Sequence, residues 1–154
     1  MDLTYRQATE ADLPFLDALI ADDEVAAARD IAPPDNDAQQ REAMRAIAAD
    51  PNHELWIVEH GDTPIASFHL SYLPGVSRKG AWRGQIESVR VMTQFRGMGV
   101  GDAMMRWAIA RCDEKGCGVV QLTSDRQRDA AHRFYEQLGF EPSHIGFKMR
   151  LLQE

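Results

Sequence analysis

The chain has 154 residues, 44% of them hydrophobic and 27% charged, with a formal net charge of −7. One domain of that size can bury a core, and its acidity argues against non-specific nucleic-acid binding. No apolar run is long enough to span a bilayer, and "MDLTYRQATEADL" has no basic stretch leading into an apolar one, so neither membrane nor export is expected and the cytoplasm is.

No repeat, low-complexity tract or linker interrupts the chain, and residues 1–154 read as a single domain. "LTYRQA" is a short strand. Thr9 and Asp12 form a capping-box-like start for a helix whose stripe is Leu13, Leu16, Leu19 and Ile20. Adjacent Pro33 and Pro34 in "IAPPDNDAQ" break the chain, and a second helix spans about Ala38 to Ala49. The period then changes. "ELWIVEH" and "PIASFHLSYL" are strands joined by Gly61-Asp62, a hairpin signal. The loop "PGVSRKGAWRG" precedes a third strand, "QIESVRVM". A glycine-rich stretch opens a helix carrying Met104, Met105, Trp107, Ala108 and Ile109, which ends at Gly116. "GVVQLTS" reads as a short buried strand, "RDAAHRFYEQL" as a helix closing on Gly139, and "HIGFKMRLL" as a final strand. The order β-α-α-β-β-β-α-β-α-β implies an α/β fold with a mixed sheet and helices on its faces.

The glycine-rich stretch "QFRGMGVG" is the most informative. Gly97, Gly99 and Gly101 stand where a helix begins, although glycine weakens helices. The first amide N–H groups of a helix have no internal acceptor, and the helix dipole adds positive charge there. Glycines let that backbone approach phosphate oxygens with no Cβ in the way. A Walker loop needs Lys-Ser/Thr after its last glycine, whereas Asp102 follows Gly101, and the spacing GxGxG is not the dinucleotide fingerprint GxGxxG.

The pattern Arg96-x-x-Gly99-x-Gly101 resembles the acyl-CoA pyrophosphate loop of the GNAT superfamily of N-acetyltransferases. "IESVRV" looks like that family's central strand, and "AAHRFYEQLGF" looks like its tyrosine-bearing helix closing on Leu-Gly-Phe. The order of elements matches over essentially the whole chain. The resemblance implies the GNAT fold, in which the central strand and the next parallel strand splay apart. It implies that main-chain groups of Val89, Arg90 and Val91 bond the pantetheine arm of acetyl-CoA. Amides of Arg96, Gly97, Met98, Gly99, Val100, Gly101 and Asp102 would hold the pyrophosphate, with the Asp102 carboxylate turned outward. Many members have an asparagine seven residues before the tyrosine, where this chain has Arg128, which could reach a phosphate instead.

Acetyl transfer from a thioester to an amine needs a neutral amine, a polarised carbonyl and a protonated leaving thiolate. Tyr135 matches the family's general acid; by spacing alone, a packing aromatic is an equal reading. Arg128, His132 and Tyr135 would share one helix face, beside a stripe of Ala131, Phe134 and Leu138. Glu87 is the candidate base. It stands on the same nominal strand face as Val89 and Val91, where apolar neighbours would raise its pKa, and glucosamine-phosphate acetyltransferases have a similar "IED" run. A solvated strand-end glutamate is the alternative.

His53 and His60 read as loop and strand-end residues, and His69 as a partnered strand histidine that could line the acceptor pocket. His132 could tune Tyr135 or lie on the surface, and His144 follows the helix where related enzymes often place acceptor contacts. None has metal-ligand spacing with a carboxylate, so no metal is expected. Cys112 and Cys117 are too far apart for a CxxC pair and read as free thiols. The basic loop residues Arg78, Lys79 and Arg83 surround Trp82, and the ending "HRFYEQLGFEPSHIGFKM" is similar to that of aminoalkylphosphonate acetyltransferases. Together they suit an anionic acceptor, although a solvated loop is the commoner outcome. The expected activity is acetyl-CoA-dependent N-acetylation of a small-molecule amine. A non-catalytic CoA-binding regulatory module and an acetyltransferase for protein amines are its rivals. The family commonly forms homodimers, and nothing in the sequence fixes the state.

Overall fold

A computed structural model describes residues 1–23 and 37–151. The Pro33-Pro34 break lies outside them. The chain divides into two compact units, Met1–Leu122 and Thr123–Glu154.

The first unit holds β1 (Thr4–Gln7), α1 (Leu13–Asp22), α2 (Asp37–Ala49), β2 (His53–His60), β3 (Thr63–Leu73), β4 (Trp82–Val91), α3 (Val100–Glu114) and β5 (Cys117–Leu122). The strands form one sheet in the order β1-β2-β3-β4-β5, antiparallel from β1 to β4 and parallel between β4 and β5. The expected hairpin forms: His60 pairs with Thr63 across Gly61-Asp62, and Gly61 takes φ of 61°. At the start of α1, Asp12 Oδ2 accepts the Thr9 N–H at 2.8 Å and the Arg6 Nη1 at 2.9 Å. The Arg6 hydrogen bonds outweigh burial and hold the Asp12 carboxyl below the usual carboxylate range.

Alternation along β2 and β3 decides what each face packs. Trp56, Phe68, Leu70 and Tyr72 are buried on the face that α3 covers with Met104, Met105, Ala108 and Cys112. Trp107 of α3 stacks on Tyr5 at 4.3 Å between ring centres and meets Trp56 edge-on at 4.7 Å. Glu54 shares that buried face. Tyr72 Oη donates to it at 2.6 Å, Trp56 Nε1 at 3.2 Å, and Arg111 at 2.6 and 3.1 Å. β5 is half-buried rather than buried, because it is the last strand of this sheet. No helix among the described residues is long and apolar enough to cross a membrane.

The second unit contains α4 (Asp129–Gln137), which closes on Gly139 at φ of 106°. The strand expected over "HIGFKMRLL" is not formed. Residues 141–151 join no ladder, and Ile145, Phe147, Met149 and Leu151 are exposed. Their alternation supplies an apolar face, but a strand also needs a neighbour for its N–H and C=O groups.

Candidate active site

β4 carries the main irregularity of the sheet. His69 pairs with Glu87, but Ser67 pairs with Arg90, so Ser88 and Val89 together oppose Phe68. That is a β-bulge, and Ser88 sits at φ of 55°, a left-handed conformation that L-residues adopt at some cost. The bulge corrects a sequence expectation. Glu87 shares its face with Arg90, while Val91, paired with Ala66, points to the other side. Glu87 is exposed, and its neighbours are polar rather than apolar: Gln85 Nε2 donates to its Oε1 at 3.2 Å. The apolar setting expected for it is therefore absent.

The parallel ladder to β5 ends at Ile86–Leu122, while β4 continues to Val91. Main-chain groups of Val89, Arg90 and Val91 on that edge thus extend beyond the ladder. The chain then turns through Thr93–Phe95 into Gly97 and Gly99, at φ of 75° and 84°, and enters α3. Among the described residues, chain neighbours aside, nothing lies within 4 Å of where a Cβ would stand on either glycine. The first bond of α3 is Ala103 N–H to Gly99 O at 3.1 Å, so the amides of Val100, Gly101 and Asp102 have no intrahelical acceptor. The Asp102 carboxylate accepts from Arg106 Nε at 3.0 Å along the helix.

This turn is clamped from α1 by residues with no sequence signal. Asp22 accepts both the Thr93 N–H, at 2.9 Å, and the Thr93 hydroxyl, and those bonds hold its carboxyl below the usual range. Arg96 Nη2 lies 3.8 Å from the same carboxylate, while Arg96 Nε donates to Val91 O at 3.1 Å. Arg90 Nε donates to Asp23 at 3.2 Å.

The face opposite α3 carries a polar row across four strands. His53 Nδ1 lies 3.1 Å from His69 Nε2 and 3.2 Å from Ser71 Oγ; Gln85 links Glu87 to Gln121, whose Nε2 donates to Gln85 Oε1 at 3.1 Å. His69 is a partnered strand histidine, as its sequence context suggests. Cross-strand register assembles this row, which no linear motif records.

In the second unit, Tyr135 is half-buried on α4, with Phe134 and Phe140 against its ring at 5.3 and 6.0 Å. Burial pushes the Tyr135 hydroxyl above its ordinary pKa, and the Arg128 charge partly opposes this. Arg128 is the residue before α4 rather than part of its face. His132 Nε2 contacts Asp125 O at 2.7 Å, a bond to its own loop, and His144 is exposed beside Ser143. Cys112 and Cys117 are free thiols. Among the described residues no group of three His, Cys, Asp or Glu could hold a metal ion.

Residues 18–140 match the acetyltransferase (GNAT) family. The chain belongs to that family. This GNAT chain is similar to the aminoalkylphosphonate N-acetyltransferase of Salmonella typhimurium, 27% identical over 72% of the chain and 71% of the relative. It is also similar to the mycothiol acetyltransferase of Kocuria rhizophila, 30% identical over 74% of the chain but only 37% of that longer protein. Among solved structures, a transcriptional regulator from Bacillus halodurans superposes with a TM-score of 0.90 at 38% identity, over 97% of this chain and 100% of the other. The mixed sheet with its parallel β4–β5 pair is thus the GNAT fold.

Proposed function

We propose that this GNAT protein transfers the acetyl group of acetyl-CoA to the primary amine of a small molecule by direct attack. The observation that carries the reading is the bulged strand β4, which outruns its parallel neighbour and feeds into the glycine-rich start of α3. Left-handed Gly97 and Gly99, with open space where side chains would stand, suit a backbone cradle for a diphosphate. Amides from Arg96 to Asp102 hold that diphosphate. Main-chain groups of Val89, Arg90 and Val91 hold the pantetheine arm and orient the thioester carbonyl. Glu87, exposed and anionic, attracts the ammonium form of the acceptor and assists its deprotonation. Tyr135 protonates the departing sulfur; its hydroxyl, like that of any tyrosine, carries its proton at neutral pH, and burial raises its pKa further.

Aminoalkylphosphonates are the first acceptors to try, given the Salmonella relative. The test is release of free CoA thiol from acetyl-CoA with aminomethylphosphonate, 2-aminoethylphosphonate, glucosamine 6-phosphate, spermidine and alanine, with mass spectrometry of the product. Acetylated amine is the expected result; tight binding of acetyl-CoA with no release overturns it. That second outcome is what a regulatory module would give, a reading favoured by the name of the Bacillus relative.

A further inference from the structure

The polar row opposite α3 ends in groups that the proposed chemistry leaves unused. His69 stands directly across the β3–β4 ladder from Glu87. Its Nε2 faces His53 Nδ1 at 3.1 Å, and His53 Nε2 lies 3.8 Å from Asp50 Oδ2. His53 and Asp50 are 36% and 45% exposed, so the line runs from within the sheet face to water. We propose that His69 and His53 form a relay that carries the proton of the acceptor's ammonium group away from Glu87 to solvent. The inference rests on the acetyltransfer reading and deepens it.

Two facing imidazole nitrogens can form a hydrogen bond only when one carries a proton and the other a lone pair. The Ser71 hydroxyl, which can donate or accept, also approaches His53 Nδ1 at 3.2 Å; with that hydroxyl donating, His53 Nδ1 carries the lone pair and His69 Nε2 the proton. His69 Nδ1 is then the basic nitrogen. Before the amine attacks, one N–H bond of its ammonium breaks, the Glu87 carboxylate takes that proton and passes it to His69 Nδ1, and Glu87 returns to the carboxylate. The Nε2 proton moves onto His53 Nδ1, and His53 loses its Nε2 proton to water beside Asp50. One proton leaves the amine and one enters solvent, so charge balances; both rings return to the starting tautomer by exchange with water.

The charged and titratable groups facing His69 act in opposite directions. Burial lowers its pKa most, the Glu87 carboxylate raises it, and His53 lowers it again. The outcome is a ring that is neutral near pH 7 and able to accept a proton. The two histidines also constrain each other: once the pair holds one extra proton, a second is opposed by like charge across the 3.1 Å contact.

The test combines His69→Gln and His53→Gln with the amine from the panel above that releases CoA fastest. Circular dichroism and acetyl-CoA affinity check that each variant is folded. Both variants are expected to lower kcat by about tenfold or more and to displace or abolish the acid limb of the kcat/KM pH profile, with KM for acetyl-CoA unchanged. Nitrogen-15 NMR of the imidazoles should show the His69 Nε2–H tautomer, and replacing His53 should move the His69 titration. An unchanged acid limb in both variants, or rings that titrate independently, overturns the relay while leaving acetyl transfer intact. Absence of CoA release from every amine with the wild-type protein removes the acetyltransfer reading and the relay with it.

Discussion

Single atoms decide two of the proposed roles. The Tyr135 hydroxyl carries its proton at neutral pH, as an ordinary phenol does, and burial raises its pKa further. Tyr135→Phe removes the proton and almost none of the packing against Phe134 and Phe140. It should cut kcat by about a hundredfold or more while calorimetry finds acetyl-CoA binding unchanged; wild-type turnover would end the assignment. Gly99 is a test of the diphosphate cradle. At φ of 84° any L-residue is strained, and its Cβ would project into space that is otherwise empty. Gly99→Val should therefore weaken acetyl-CoA binding at least tenfold, which corresponds to about 1.4 kcal/mol. Undiminished affinity would place the diphosphate elsewhere.

At the scale of elements, β4 is positioned by contact with α3 as well as by its ladders. A Cβ on Gly84 would stand 2.5 Å from Cys112 Sγ and 3.0 Å from Cys112 Cβ, and Cys112 is fully buried. Gly84→Ala must push α3 off the sheet, at a cost of roughly 1–3 kcal/mol in urea unfolding. Adding Cys112→Ala removes the sulfur but not its Cβ, so the double variant should lose less than the sum of the two single losses. This contact was illegible in the sequence, where Gly84 reads as the end of a loop and β4 as starting one residue later. What was legible is local. The Arg96–Gly101 turn, the Gly61-Asp62 hairpin and the buried stripe of α3 each lie within one run of residues. What was not legible needs register. The bulge at Ser88 moves Val91 off the face of Glu87, and only the paired strands bring His53 to His69. The final strand failed for the opposite reason, since alternation names a face without naming a partner.

For the molecule as a whole, acidity and a buried carboxylate set the dependence of stability on pH. Acidic side chains number 24 against 17 lysines and arginines, and one of them, Glu54, is only 4% exposed. Burial alone would raise its pKa; the Arg111 and Tyr72 hydrogen bonds outweigh that and hold it below the usual glutamate range. A carboxyl depressed by folding contributes stability that is complete above its unfolded pKa and is lost as pH falls through the folded one. Glu54 joins β2, β3 and α3, so its protonation loosens the helix that begins at the glycine turn. Thermal unfolding should therefore show Tm falling below about pH 4.5, the range in which an unfolded glutamate takes up its proton. Glu54→Gln should flatten that fall while lowering Tm at pH 7, because half-buried Arg111 is left with only the exposed Glu114 carboxylate, 3.7 Å away, as its counter-charge. Glu54→Ala also strips the acceptor from Tyr72 and Trp56 and should cost roughly 3 kcal/mol or more. If Glu54→Gln keeps the wild-type acid slope, the pH dependence lies in other carboxylates, buried Asp12 among them, and the Glu54–Arg111 pair does not govern it.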